Sequence, residues 1–325
     1  MGKQMKLRTF IILIVSAVVA LALIITNIFV PVKYLFSYMV TRNSRAPQGV
    51  MRVRFVDVGY GDCSIVELPD GKNMLIDAGN GDGTNQTRIL KLLNKSGIDN
   101  IDYLICTSIN GEQCGGLAEI LKYKSVGKVY SSYCRNVYAT EEYASFISAL
   151  NSQRITATVI EQGLIVYGEA GYKFTFLSPQ SMQTPDGEYA KLNENSSDRT
   201  LMNNASAVMW LEYAGTSIVF TSDAGSQTLS KLCDDYIVAP DKFKIEFPEC
   251  DIITVAGHGG KDHLGRAFYE LTSPDTAIIS VGKNAYGSPS DSCIADLSAV
   301  GCNIKRTDVE KTITLDVTES GYKFI

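Results

Sequence analysis

The chain has 325 residues, of which 45% are hydrophobic and 20% are charged. This composition is typical of a folded protein with an ample core and excludes an intrinsically disordered chain. The length suits one large domain or two smaller ones. The formal net charge of −5 disfavours a nucleic-acid-binding protein, because such surfaces are usually basic.

The first long apolar run, residues 9–32, contains no charged residue. It exceeds the roughly 20 residues that a helix needs to cross a bilayer, and no small-residue cleavage site follows it. We therefore predict that residues 1–33 form an uncleaved, single-pass membrane anchor. Lysine and arginine side chains precede the run, so the positive-inside rule favours a cytoplasmic N-terminus and an extracytoplasmic large domain.

A polar segment, residues 34–49, is interpreted as a linker to one domain spanning residues 50–325. In that domain, strand patterns alternate with amphipathic helical patterns. Strands are predicted at residues 51–58, 63–68, 73–76, 103–106, 127–132, 155–159, 172–177, 207–213, 216–221, 251–256, 277–281 and 313–317. Helices are predicted at 87–95, from the central glycine pair to about 123, at 140–153 and at 290–300, with a surface loop at 181–202. This order predicts an α+β fold, an αββα sandwich of two mixed sheets with helices outside.

The stretch IDYLICTSINGEQCGGLAEI, residues 101–120, is predicted to hold the functional site. Its apolar start is typical of a buried strand, which delivers the polar loop 107–113 to the start of a helix. Gly115 and Gly116 follow, where backbones must approach closely. Ligands in such folds bind beyond the carboxyl ends of strands, so this loop is expected to carry the chemistry.

Four blocks resemble the metallo-β-lactamase fold, in particular the soluble domain of ComEC/Rec2-type competence proteins. They are FVDVGYGDCSIVELPDGKNMLIDAGN (55–80), IDYLICTS…GGL (101–117), SIVFTSDAG (217–225) and VAGHGG…ISVGKNAYGSPS (255–290). The resemblance implies a metal-dependent hydrolase and, in the competence branch, hydrolysis of DNA phosphodiesters.

The family's loop reads His-x-His-x-Asp-His, and this chain departs from it throughout. The matching positions are Ser108, Asn110, Glu112 and Gln113, so every histidine of that loop is absent. Hydroxyl and amide oxygens are poor zinc ligands. We therefore expect that a two-zinc centre cannot be assembled here.

Other family positions are retained. Asp223 and His258 match metal ligands of the family, and Glu112 keeps a carboxylate in the loop. Asp77 matches an aspartate that orients the ligand loop from behind it. Asp57 and Asp62, in VDVGYGD, also match aspartates of the family. Both are predicted to be structural residues that accept backbone hydrogen bonds in a tight glycine turn.

Two further side chains could replace lost ligands. Cys114 follows Gln113 and could coordinate zinc if the loop shifted, but the adjacent glycines favour a core position for it. His263 has no family match and is predicted to lie on the surface. Of the eight cysteines, Cys293 and Cys302 are close enough in sequence for a disulfide; the alternative is buried thiols.

Two functional hypotheses follow. The first is a membrane-anchored, non-catalytic binding or scaffolding domain with no cofactor, whose partner is an unidentified protein or small molecule. The second is a phosphodiesterase-like or nuclease-like hydrolase with one Mn²⁺, Fe²⁺ or Zn²⁺ ion on Glu112, Asp223 and His258, of which the last two are the catalytic candidates. Nucleic acid as a partner is implied by the resemblance but disfavoured by charge.

A third interpretation is a purely structural ectodomain of a larger membrane complex. An open polar pocket around Asp223 and His258 would favour a binding domain, and a cleft filled by side chains would favour the structural one.

Overall fold

The computed structural model describes residues 12–19, 21, 24, 45–132, 140–180, 199–238 and 250–325. Residues 12–19 are helical, whereas most of the predicted anchor and linker lie outside the described residues. Among the helices that are described, none combines the length and the apolar character needed to cross a bilayer. The anchor, its orientation and the domain boundaries therefore stay predictions.

The first sheet has eight strands in the order β15-β14-β1-β2-β3-β4-β5-β6. Pairing is antiparallel from β15 to β3 and parallel from β3 to β6. The strands are β1 (Met51–Phe55), β2 (Ser64–Glu67), β3 (Asn73–Ile76), β4 (Asn100–Cys106), β5 (Ser125–Ser131), β6 (Ala157–Val159), β14 (Ile313–Thr318) and β15 (Gly321–Phe324).

The second sheet has seven strands in the order β13-β12-β11-β10-β9-β8-β7. Here β10 to β13 are parallel neighbours, and β7 to β10 are antiparallel. The strands are β7 (Ile165–Tyr167), β8 (Lys173–Ser178), β9 (Val208–Tyr213), β10 (Thr216–Phe220), β11 (Ile252–Thr254), β12 (Thr276–Ile279) and β13 (Asn303–Arg306). Both sheets are mixed, as predicted.

Helices cover the outer face of each sheet. They are α1 (Gly83–Lys95), α2 (Gly111–Cys114), α3 (Leu117–Ile120), α4 (Glu141–Ser152), α5 (Arg199–Asn204), α6 (Ser226–Val238), α7 (Arg266–Thr272), α8 (Asp291–Ala299) and α9 (Thr307–Glu310). One apolar cluster packs α1 to α4 on the first sheet, and another packs α6 to α8 on the second. A third cluster lies between the two sheets.

The alternation of side chains along each strand produces these layers. In β3, Met74 and Ile76 point between the sheets, whereas Leu75 points to the helices of the first sheet. In β4, Tyr103 and Leu104 divide in the same way. Each inner strand is therefore buried on both faces, and only its carboxyl end is left to carry polar groups.

Several elements differ from the sequence prediction. Helix α1 starts at Gly83 rather than at residue 87, because the Asp82 carboxylate accepts a hydrogen bond from the Thr84 N–H and caps the helix there. Part of the predicted loop 181–202 is helix α5, in which Met202 is buried; residues 181–198 lie outside the described part. Strands β7, β13 and β15 and helices α6, α7 and α9 were not predicted, and α2 lies mostly within the predicted polar loop 107–113. Cys293 and Cys302 are free, buried thiols.

The core between the sheets supports a stability prediction. The Phe174 ring is fully buried, and its centroid lies 5.4 Å from that of Tyr103, 5.9 Å from Tyr130 and 6.0 Å from Phe176. Phe174→Ala should lower the free energy of unfolding by about 3–5 kcal/mol, through lost burial and a residual cavity. Urea unfolding measures it, with the 73% exposed Tyr167→Ala as control. Equal losses in the two variants would contradict this packing.

Candidate functional site

The site lies in a cleft where loops from both sheets meet. The first sheet supplies Asp62, from the loop between β1 and β2, and the loop 107–116 that follows β4. The second supplies Asp223 after β10 and His258 in the 3₁₀ turn Ala256–Gly259 after β11. Asp62, Asp223 and His258 each offer one ligand atom, and these atoms lie within 4.8 Å of one another. The sequence therefore predicted two members of this cluster, Asp223 and His258.

Asp62 is the member that the sequence prediction misassigned. It was expected to be a structural turn residue, but its carboxylate faces the cleft, with Oδ2 3.9 Å from Nδ1 of His258. Asp57, predicted in the same way, does accept a turn hydrogen bond from Gly59 N–H and pairs with Arg88 at 3.2 Å. The signal that could have separated them is position, since Asp62 follows Gly61 and lies two residues before β2, whereas Asp57 lies two residues after β1.

Side-chain amides take up the carboxylate oxygens of this cluster. Nε2 of Gln113 donates to Oδ2 of Asp62 at 2.8 Å and to Oδ1 of Asp223 at 2.9 Å. Nδ2 of Asn110 donates to Oδ2 of Asp223 at 2.7 Å and to Oδ1 of Asn203 at 2.8 Å. Two of the positions where the family has histidine ligands thus hold neutral donors bonded to the two aspartates.

Asp77 fixes the loop from behind, as the resemblance implied. Its oxygens accept hydrogen bonds from the Thr107 N–H at 2.9 Å and from Oγ1 of Thr107 at 2.5 Å, and Thr107 Oγ1 lies 2.6 Å from Oγ of Ser222. Burial raises the pKa of Asp77 well above its ordinary value, although both hydrogen bonds act in the opposite direction. The loops of the two sheets are joined through this chain of groups.

Three residues beside the cleft have a strained backbone. Asp77, Ser222 and His258 have φ of 58°, 50° and 58°, in the left-handed region that side chains disfavour. A Cβ on Gly116 would lie 2.2 Å from the carbonyl oxygen of Ala78, so only glycine allows this approach of helix and strand. These backbone conformations lower the stability of the fold, and the surrounding core must compensate for them.

Ser108 and Glu112 point away from the cluster. Ser108 is fully buried, and its Oγ accepts from the Asn110 N–H at 3.3 Å. The Glu112 carboxylate instead pairs with Arg199 at 2.6 Å. Of the described residues, only Asp62, Asp223 and His258 form a candidate metal group, so the structure puts Asp62 in the place that the sequence assigned to Glu112.

His258 is held by its backbone-facing nitrogen. Nδ1 lies 2.8 Å from the carbonyl oxygen of Ser280, which can only accept, so Nδ1 carries the hydrogen; in the neutral form of the ring, Nε2 is then an acceptor. Nε2 lies 3.8 Å from Oδ1 of Asp223 and has no hydrogen-bond partner, although the side chain is 2% exposed. The ring packs on Tyr60 at 4.3 Å between centroids. An acceptor is therefore held ready in a buried wall of the cleft.

Two open cavities adjoin the cluster. One of about 300 Å³ is lined by Asp223, His258, Asn203 and His263, and a second of about 450 Å³ is lined by Asn110 and Glu112. Tyr60, Arg199 and Tyr286 border both. The rings of Tyr60 and Tyr286 are stacked at 5.0 Å, and the Arg199 guanidinium lies 6.0 Å from the Tyr286 ring. The cleft is open and polar.

The two possible replacement ligands do not join the cluster. His263 was predicted on the surface, and this was wrong, because its ring is partly buried against Gly257 and its Nε2 lies 3.4 Å from Nδ2 of Asn203. Two side chains, Asn203 and Asn110, connect it to Asp223. Cys114 is buried in the core, as predicted, with Sγ 3.5 Å from the Ile109 carbonyl oxygen.

These donors do not fit the two-metal centre that the fold implies. A cation shared by Asp62 and Asp223 would compete for the position of the Gln113 nitrogen, which lies at hydrogen-bond distance from both carboxylates. Burial and the nearby Asp223 carboxylate raise the pKa of Asp62, whereas His258 and Gln113 oppose the rise. Hydrogen bonds from protein amides therefore offset the repulsion between the Asp62 and Asp223 carboxylates.

Comparison with known proteins places this fold and cleft in a family. A model of the metallo-beta-lactamase superfamily matches residues 56–283, well over half of the chain. The chain belongs to the metallo-β-lactamase superfamily. CmlA, a diiron β-hydroxylase from Streptomyces venezuelae, shares the fold with a TM-score of 0.50 and 13% identity, over 83% of this chain and 54% of that chain.

Two curated relatives support the ComEC-like branch. ComE operon protein 3 of Bacillus subtilis (strain 168) is 24% identical over 280 residues, which cover 80% of this chain and 32% of the relative. Competence protein ComA of Neisseria gonorrhoeae is 22% identical over 284 residues, covering 87% and 34%. The chain spans about a third of the length of these two relatives, so it matches one part of them.

The buried Asp77 carboxyl predicts a pH dependence of stability. The pKa of Asp77 is raised in the folded protein. The protonated Asp77 carboxyl therefore contributes fully to the free energy of unfolding at low pH, and this contribution is lost as pH rises through the folded-state pKa. Asp77→Asn should remove this dependence, so the variant should gain stability relative to wild type with rising pH. Urea unfolding between about pH 4 and 8 measures it. The exposed Asp234→Asn is the control, and parallel curves for wild type and Asp77→Asn would contradict the prediction.

Proposed function

We propose that this metallo-β-lactamase-fold domain binds a ligand or partner in its cleft and does not hydrolyse it. The observation that carries the proposal is the open polar cavity of about 300 Å³ beside Asp223 and His258. A purely structural domain would be expected to fill such a cleft with side chains. A volume of about 300 Å³ is at the lower end of the usual range for small-molecule sites.

Loss of hydrolysis is supported by the donor set. Metal-assisted hydrolysis needs an ion that generates a hydroxide and polarises the bond to be cut. The loop that supplies imidazoles in the family presents Asn110 and Gln113, whose amides already bond to Asp223. Nothing else in the cluster offers an activated nucleophile, because the cysteines described nearby, Cys63, Cys106 and Cys114, are buried with pKa values raised by burial.

The cleft retains what a binding site needs. His258 Nε2 is a buried acceptor without a partner, so a ligand hydroxyl or amide N–H would satisfy it. Tyr286 is 64% exposed and offers a ring face beside the Arg199 guanidinium. We propose a small polar molecule or a polar loop of a partner protein as occupant, with the domain attached to the membrane through residues 9–32. The charge of −5 disfavours nucleic acid.

A second candidate is a hydrolase with one metal ion. The grouping of Asp62, Asp223 and His258 within 4.8 Å favours it, because two carboxylates and one imidazole suit Mn²⁺ or Fe²⁺. His258 Nε2, which has no partner, would be the nitrogen ligand. Such an ion would supply Lewis acidity to a bound phosphate or acyl oxygen, and Gln113 would have to leave the two carboxylates to admit it.

Metal content and phosphodiesterase activity separate the two candidates. The purified full chain should contain less than about 0.1 divalent ion per molecule by mass spectrometry, because the carboxylates lack the family's imidazole co-ligands. With Mn²⁺ added, its rate on bis-p-nitrophenyl phosphate should equal those of Asp223→Ala and of the exposed control Asp234→Ala. A metal-dependent rate that disappears only in Asp223→Ala would establish the hydrolase instead.

Ligand binding is tested at His258. In a ligand-observed NMR screen of small hydroxylated compounds, we expect hits that bind wild type about tenfold or more tightly than His258→Phe, because the variant fills the cavity and removes the acceptor. Lys323→Phe, on β15, controls for an added aromatic ring. Hits that bind His258→Phe as tightly as wild type would contradict binding in this cleft.

A further inference from the structure

We propose that the Gln113 side-chain amide takes over the electrostatic role of a metal ion, holding two carboxylates from opposite sheets together. The inference rests on the proposal that the cleft holds no catalytic metal. It goes further by naming the group that replaces the ion, and by naming one substitution, Gln113→Glu, that should make the stability of the domain depend on metal again.

The first step is the charge balance. Asp62 and Asp223 approach the same nitrogen, and both pairs of atoms are within 2.9 Å. Carboxylates brought together in a buried site repel each other and lose hydration, so the arrangement needs compensating positive charge. The neutral Gln113 amide supplies partial positive charge through its two N–H hydrogens, one to each aspartate, whereas the His258 nitrogens stay 3.9 Å from Asp62 and 3.8 Å from Asp223. Nδ2 of Asn110 adds a third donor, at 2.7 Å from the other oxygen of Asp223.

The second step is the orientation of the amide. Gln113 is fully buried, and its Oε1 has no hydrogen-bond partner. A buried amide oxygen without a donor costs free energy, so the side chain gives up one interaction to present both N–H groups. The reversed orientation would place Oε1 against two carboxylate oxygens. The two aspartates therefore determine how Gln113 is oriented.

The third step is the place where the Gln113 amide connects the two sheets. Gln113 lies in α2, beyond β4 of the first sheet, whereas Asp223 follows β10 of the second sheet. The amide thus connects loops of the two halves of the sandwich, as an ion shared by those loops would. It follows that the stability of this domain does not depend on a divalent cation.

The same geometry predicts what one substitution does. Gln113→Glu keeps the shape but replaces the two donors by a third carboxylate. Without a cation, three carboxylates repel one another. With a cation, three carboxylates and His258 Nε2 form a ligand set suited to Mn²⁺. The substitution should therefore make stability depend on metal.

The experiment is thermal unfolding of the full chain in EDTA and in 1 mM Mn²⁺. Wild type should unfold at the same temperature in both, within the error of the scan. Gln113→Glu should unfold at a lower temperature than wild type in EDTA and recover by about 5 °C in Mn²⁺, the shift expected when the ion is near 100-fold above its Kd. The matched control is Gln153→Glu, because the Gln153 side-chain amide donates to the Leu121 carbonyl oxygen and to no carboxylate, so this variant should show no response to Mn²⁺.

Gln113→Met is the second variant, since it removes both donors without adding charge. It should be destabilised equally in EDTA and in Mn²⁺. If Gln113→Glu does not fold in EDTA but folds in Mn²⁺, the inference is supported. If it folds in neither, Gln113→Met decides, and an unfolding temperature equal to that of wild type overturns the inference.

Two further results would overturn it: stabilisation of wild type by Mn²⁺, or a Gln113→Glu variant that unfolds like wild type in EDTA. Neither result by itself refutes the proposed function, which fails separately if wild type hydrolyses phosphodiesters in a metal-dependent way.

Discussion

Two carboxylates that meet in the largely buried wall of an open cleft need a positive counterpart, and the arrangement of this site depends on that need. Asp62 and Asp223 come from different sheets and meet at one amide nitrogen. In metal-binding members of such a fold, a cation can satisfy this requirement. Here the side-chain N–H groups of Gln113 and Asn110 satisfy this requirement. They attract a carboxylate less strongly than a cation does, but burying a neutral amide avoids the cost of removing water from an ion. In this proposal, hydrogen bonds from Gln113 and Asn110 hold the cleft together without the loop histidines of the family, which this sequence lacks.

Strained and buried groups form the scaffold behind the cleft. Asp77 bonds Thr107, and Asp77, Ser222 and His258 adopt left-handed backbone conformations. These are costly arrangements that the surrounding core must impose. Their position beside an open cavity supports binding as the proposed role.

The sequence predicted the architecture well because the core strands are strongly patterned. Buried strands such as β3 and β4 were recognised from their apolar runs, and the glycine pair at 115–116 located the loop beyond β4. Strands β7 and β13 were missed because they are short edge strands with few fully buried side chains. Helix α5 was missed because RTLMNN is polar and follows a long polar segment.

The site was only partly predictable. Asp223, His258 and Asp77 were found because the short motifs around them match those of the family, and each lies within four residues of the end of a strand. Glu112 was expected to approach the first two, but Arg199, 87 residues away in sequence, pairs with it instead. No local pattern reveals a pairing at that distance. The bridging role of Gln113 was equally hidden, since it depends on Asp62 and Asp223 meeting in three dimensions.

Anomalous diffraction tests the central claim most directly. Crystals of the protein grown in excess Zn²⁺ and measured at the zinc absorption edge should show no anomalous peak between Asp62 and Asp223, and the Gln113 amide should occupy that position. A strong peak within about 2 Å of Asp223 and His258, with the Gln113 side chain displaced, would contradict the account.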